Sequence, residues 1–129
     1  MKIINLVLSS ILVLIISCSK KESEINVPPL NLIQAQELWL SKGIDSYSYT
    51  QARSCFCLPE HLGPNKLIIE NDLIVSVDGE LFDVSIHQGY LTINQSFEYI
   101  MNNLENDPEE FNLEFDLTYG FPTKIFFDM

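Results

Sequence analysis

The apolar run from Ile3 to Ile16, preceded by Met1 and Lys2 and closed by Ser17 and Cys18, decides how much of this chain is available to fold. Only Asn5, Ser9 and Ser10 interrupt it. A helix rises about 1.5 Å per residue and needs roughly 20 apolar residues to span a bilayer, so the run is too short to cross one. One positive charge, an apolar middle and a small residue at the processing point are the three parts of an export signal. Residues 1–17 are therefore expected to be removed. About a hundred residues follow the tether described next, enough for one domain with one core.

Ile15, Ile16, Ser17 and Cys18 resemble the bacterial lipobox, in which an aliphatic and a small residue precede an invariant cysteine. The resemblance implies that Cys18 carries a diacylglycerol thioether and an acylated amine. Each buried methylene contributes about 0.8 kcal/mol, so several chains hold a protein far more firmly than one. The expected partners are thus a membrane, reached through the lipid on Cys18, and an unidentified envelope protein or ligand. Ser19 stands where an Asp would suggest retention at an inner membrane, which points to the outer membrane in a two-membrane cell. Residues 18–31, rich in Ser, Lys, Glu and Asn and containing Pro28 and Pro29, read as the lipidated cysteine and a flexible tether. Residues 32–129 read as a single domain. The formal net charge is −11, and one unit more negative once Lys2 is removed, so nucleic acid is repelled and excluded as a partner.

Within the domain, Asn31 with Gln34 forms a capping pattern ahead of Leu32, Ala35, Leu38 and Trp39, which predicts a helix up to Gly43. Trp39 lies on the apolar stripe and reads as a core anchor rather than a ligand platform. From Asp45 to Arg53 the chain alternates, with Tyr47, Tyr49 and Gln51 on one face and Ser46, Ser48 and Thr50 on the other, as a strand does. Lys66–Glu70 and Leu73–Val77 are β-rich runs joined at Asn71 and Asp72, a hairpin signal. Asp78 and Gly79 mark a second turn, followed by a short strand expected within Leu81–Ile86. Thr92 and Gln95 repeat the capping pattern before Ile93, Phe97, Ile100, Met101 and Leu104. Phe111, Leu113, Phe115 and Leu117 then alternate with polar residues, and Lys124–Asp128 returns as the last strand.

These elements predict an α+β fold, an antiparallel sheet of four to six strands with two helices packed on one face. The segments Gly63–Glu70 and Gly120–Asp128 resemble each other faintly, which suggests two helix-strand-strand units joined through the middle hairpin. The expected core sets Phe97, Ile100, Met101 and Leu104 against Phe111, Phe115 and Trp39.

Once Cys18 is lipidated, Cys55 and Cys57 are the remaining thiols, in an oxidising compartment. Two residues apart on a strand they sit near the upper limit for a disulfide, and a bend beside Pro59 would be needed to close it. A short, strained cystine or an inert pair across the loop is the structural reading; free thiols, a redox pair and a metal site are the others. A metal site would recruit His61, with His87 as a distant fourth ligand, but structural zinc pairs are separated by two to four residues and here by one. Glu114 and Asp116 share a strand face without making a catalytic dyad, since they are explained as its wet side. No nucleophile elbow, paired zinc-protease histidines or phosphate loop is present, so no catalytic residue, cofactor or metal is expected.

Trp39, Gly43, Asp45, Tyr47, Tyr49 and Arg53, then Cys55, Phe56 and Cys57, with Thr92, Phe97, the run Tyr119–Thr123 and Asp128, resemble the domain-of-unknown-function family numbered six-one-seven-four. The resemblance covers residues 36 to 128 and implies an exported or lipid-anchored protein of one domain, with no activity attached. The chain stops one residue after Asp128, where similar proteins often continue with acidic residues. The sequence thus leads to a membrane-anchored, non-catalytic binding or assembly module of the cell envelope. The alternative is a thiol-based redox or metal-handling protein using Cys55 and Cys57.

Overall fold

The computed structural model describes residues 29–54 and 62–128. Helix α1, Leu32–Ser41, begins where the sequence says it should: Asn31 Oδ1 accepts the Gln34 N–H at 2.9 Å and Gln34 Oε1 accepts the Asn31 N–H at 3.2 Å. These reciprocal bonds satisfy two donors that a helix start otherwise leaves orphaned. Four antiparallel strands follow, β1 (Tyr47–Gln51), β2 (Asn65–Glu70), β3 (Leu73–Val77) and β4 (Glu80–Leu81), in spatial order β1-β2-β3-β4. Helix α2, Ile93–Glu105, is capped by Thr92 and Gln95 in the same reciprocal way. Strands β5 (Glu110–Phe115) and β6 (Pro122–Asp128) pair antiparallel as a separate sheet.

The α+β class with antiparallel strands therefore holds, and the six strands divide between a four-stranded and a two-stranded sheet. Each helix is followed by an antiparallel pair, β1–β2 after α1 and β5–β6 after α2, with β3 and β4 between them. The hairpin at Asn71 and Asp72 has φ of 50° and 59°, the left-handed pair that a two-residue turn needs to match strand twist. The next turn repeats the device with Asp78 and Gly79 at 49° and 82°. Asp78 also ties that turn to β2, accepting from Asn65 Nδ2 at 2.7 Å and from the Lys66 N–H at 2.8 Å. Those two bonds stabilise its carboxylate and hold it below the usual Asp range.

Some details depart from the sequence expectation, among them the end of β5, which stops at Phe115 and leaves Leu117 outside it and exposed. The strand expected within Leu81–Ile86 is only Glu80–Leu81, because Asp83 Oδ1 takes the Ser85 N–H at 2.9 Å and the Ser85 hydroxyl at 2.6 Å. An Asp that bonds its own main chain two residues on curls the backbone into a turn and ends the ladder. Another departure is Phe111, which alternation assigns to the core but which is 55% exposed, set beside Phe127 on the two-stranded sheet.

Two clusters make up most of the described interior, and Ile100 of α2 is buried outside both. Ala35, Trp39, Ile93 and Phe97 form one, against which Phe115 and Phe121 pack; the Phe97 and Phe115 rings stack with centroids 6.1 Å apart. Trp39 is the anchor expected of it, edge-on to Tyr47 at 5.4 Å, with its indole N–H donating to Asn94 Oδ1 at 2.9 Å. Leu67, Ile69, Val77 and Tyr90 form the second, on the inner face of the four-stranded sheet. Tyr47 packs against both.

Phe97 is fully buried, so Phe97→Ala is expected to lower unfolding free energy by about 3–5 kcal/mol, which a urea titration followed by circular dichroism measures. A loss below about 1 kcal/mol would show that α2 presents another face to the core.

Candidate binding site

The inward face of β1 is aromatic but polar-tipped, and its polar tips all reach one segment. Tyr47, Tyr49 and Gln51 alternate along the strand, so their side chains leave the same side of the sheet. The Tyr47 hydroxyl accepts the Ile93 N–H at 2.8 Å, and the Tyr49 hydroxyl donates to the Leu91 carbonyl. Gln51 accepts the Leu91 N–H through Oε1 at 3.2 Å and donates through Nε2 to the Gly89 carbonyl at 3.1 Å. Two residues further on, Arg53 donates from Nη1 to the Gln88 carbonyl at 2.8 Å and lays its guanidinium 4.3 Å over the Tyr90 ring. Gly89, at φ 81°, makes room for this: a Cβ there would run into Arg53 Nη1. Every second residue from 47 to 53 thus holds the main chain between 88 and 93.

Upstream, His87 is buried, stacked on Phe82 at 5.8 Å and edge-on to Tyr90 at 6.1 Å. Its Nδ1 accepts the Asp83 N–H at 3.0 Å, which leaves the neutral ring's proton on Nε2, 3.7 Å from Glu80 Oε2. His87 is thereby an internal part of the 82–91 turn. The turn and β3 enclose an open cleft of about 500 Å³, whose walls include Leu73, Ile74, Phe82, Val84, His87 and Tyr90. Leu73 is 67% and Val84 73% exposed on those walls, and Leu81, on β4, is 86% exposed.

Cys18, Cys55, Cys57 and His61 lie outside the described residues. Of the four proposed metal ligands only His87 is described, and its Nδ1 is occupied by a main-chain N–H. Among the described residues no group of three or more His, Cys, Asp or Glu could hold a metal ion. Asp116 is not on a strand with Glu114: it follows β5, and its Oδ2 accepts from the Thr118 and Tyr119 N–H groups at 3.0 and 2.7 Å. Among the described residues no helix is long and apolar enough to cross a membrane.

The sequence pattern locates β1 and separates its two faces, but it does not show what the Tyr47, Tyr49 and Gln51 face holds. The available signal was the composition of the face itself, Tyr, Tyr, Gln and Arg in alternation, since an inward row ending in donors and acceptors demands buried partners.

Residues 31–129 match the model of the family of unknown function DUF6174, and the chain belongs to that family. No curated protein and no solved structure shows significant similarity to it.

Burial raises the phenol pKa of Tyr49 far above the usual tyrosine value, and burial also raises that of Tyr47, opposed by the Ile93 N–H bond and aided by the Asp72 carboxylate. Both phenols hold their protons more tightly folded than unfolded. The stability they contribute is therefore fully present below about pH 10 and is lost as pH rises beyond it. Their phenolate absorbance is expected to appear only above the ordinary tyrosine range, together with loss of the circular dichroism signal. Ionisation of both at the ordinary value in a chain that stays folded would contradict the buried clamp.

Proposed function

We propose that this is an envelope lipoprotein, cleaved before Cys18 and held by lipid on that residue, whose domain serves as a non-catalytic binding module. The observation that carries the binding reading is the cleft beside the 82–91 turn, with Leu73 and Val84 presented to solvent on its walls. Exposed apolar side chains lining a cleft, in a protein of net charge −11, are the kind of surface that another molecule covers. The turn is also internally fixed, by Asp83 on Ser85 and by His87 on Asp83, so the surface is presented in one shape. Preformed surfaces bind at a lower ordering cost than mobile ones. The lipobox at Ile15–Cys18 supports the address, and the spacing between Cys18 and the start of α1 supports a domain held clear of the bilayer.

Both halves are tested in a bacterial host with the full-length chain. Cys18→Ala is expected to accumulate uncleaved precursor without label from radioactive fatty acid; correctly cleaved, unlipidated protein retained on membranes would contradict the anchor. A photo-crosslinking residue at Val84 is expected to give a discrete protein adduct that the same residue at Thr123 does not, and that Leu73→Asp removes. Equal labelling from the two positions would contradict the cleft as the contact surface.

A further inference from the structure

We propose that the free edge of β1 is a homotypic interface, on which a second copy of this chain adds its own β1 antiparallel across a twofold axis. The two four-stranded sheets would then run on into each other. Strand β1 ends its sheet, with β2 on one side and no described strand on the other. Arg53 donates its N–H to the Leu62 carbonyl and the Asp45 carbonyl accepts the Asp72 N–H, so the odd-numbered residues turn their main chain toward β2. Antiparallel alternation leaves the N–H and C=O groups of Ser46, Ser48, Thr50 and Ala52 directed outward along the edge. All four residues are exposed. An exposed edge of this kind is a template for another strand.

Charge selects a second copy as the strand that fits. At −11, two copies repel over most of their surface, yet Ser46–Ala52 holds no charged residue. A twofold axis at Tyr49 sets Ser48 against the second copy's Thr50, and Ser46 against the second copy's Ala52. Those are the outward-directed residues, so each pair exchanges both of its main-chain bonds. The same register brings Asp45 opposite the second copy's Arg53, whose guanidinium keeps its place on the Gln88 carbonyl and the Tyr90 ring, so the ends of the pairing carry opposite charge without needing a new ion pair. On the exposed face the Ser48 and Thr50 hydroxyls become cross-strand neighbours, a favourable pairing.

The other edges are guarded. Strand β4 is two residues long and carries Glu80; β5 carries Glu110 and Glu114; β6 begins with Pro122 and ends with Asp128. Short length, charge and proline are the devices that discourage edge pairing, and β1 has none of them.

The test uses two differently tagged full-length copies co-expressed in a bacterial host, one with a photo-crosslinking residue at Ser48. Irradiation is expected to give an adduct of twice the chain mass carrying both tags, absent when the crosslinker is moved to Thr123. Thr50→Pro removes an outward N–H without touching the bonds to β2, a substitution an edge strand tolerates. It is expected to reduce the adduct by about tenfold or more. Ser48→Lys, with the crosslinker moved to Thr50, places a charge where the ladder must close and is expected to act likewise. Circular dichroism shows which variants fold, and either one suffices. Adducts from Ser48 only to other proteins or to lipid would overturn the proposal. So would a two-tag adduct that the folded variants leave undiminished.

Discussion

The structure depends on a strand holding a segment that is not a strand. Residues 88–93 run past the inner face of β1 outside the described ladders, and from Tyr90 to Ile93 the segment is buried or half-buried, where main-chain groups without partners are costly to keep. Tyr47, Tyr49, Gln51 and Arg53 supply those partners from their side chains, bonding the Gln88, Gly89 and Leu91 carbonyls and the Leu91 and Ile93 N–H groups. The bond to Ile93 matters twice, because that N–H belongs to the first turn of α2 and has no acceptor within the helix. Within the held segment Tyr90 lies in the cluster of the four-stranded sheet, and Ile93, at its end, lies in the cluster built on the two helices. The clamp is therefore what joins the two halves of the interior, and Tyr47, packed against both, is its centre.

The cleft follows from the same arrangement. With 88–93 fixed on the sheet, the chain between β4 and Gln88 has to turn back tightly, and Asp83, Ser85 and His87 bond one another to do so. That turn uses its polar groups internally and leaves Val84 facing solvent beside Leu73. The position of the apolar surface is thus set by how the segment is held, although β1 does not line it.

Local signals were legible in the sequence where a local rule sets the geometry. Asn31 with Gln34 and Thr92 with Gln95 announced both helix starts, and Asn71–Asp72 announced the hairpin. Alternation placed β1 and β5 and sorted the two faces of β1, and the β-rich runs on either side of Asn71–Asp72 placed β2 and β3. Alternation misjudged Phe111, since period two reports which face a residue takes and says nothing about whether that face is covered. The length of β4 was misread because the Asp83–Ser85 side-chain bonds outcompete a short ladder, a contest that hydrophobic pattern does not record. The clamp on 88–93 was not legible, because it is set by bonds between residues some forty positions apart, and the division into two sheets was not, because alternation does not say which strands pair.

The clamp is tested most directly by amide hydrogen exchange at Leu91 and Ile93, resolved by NMR in the native chain and in Tyr47→Phe. The account predicts that both amides are protected in the native chain although neither belongs to a sheet, and that Tyr47→Phe speeds exchange at Ile93 by about tenfold or more while β2 and β3 keep their protection. Exchange of Leu91 and Ile93 at the rate of an open loop in the native chain would contradict it.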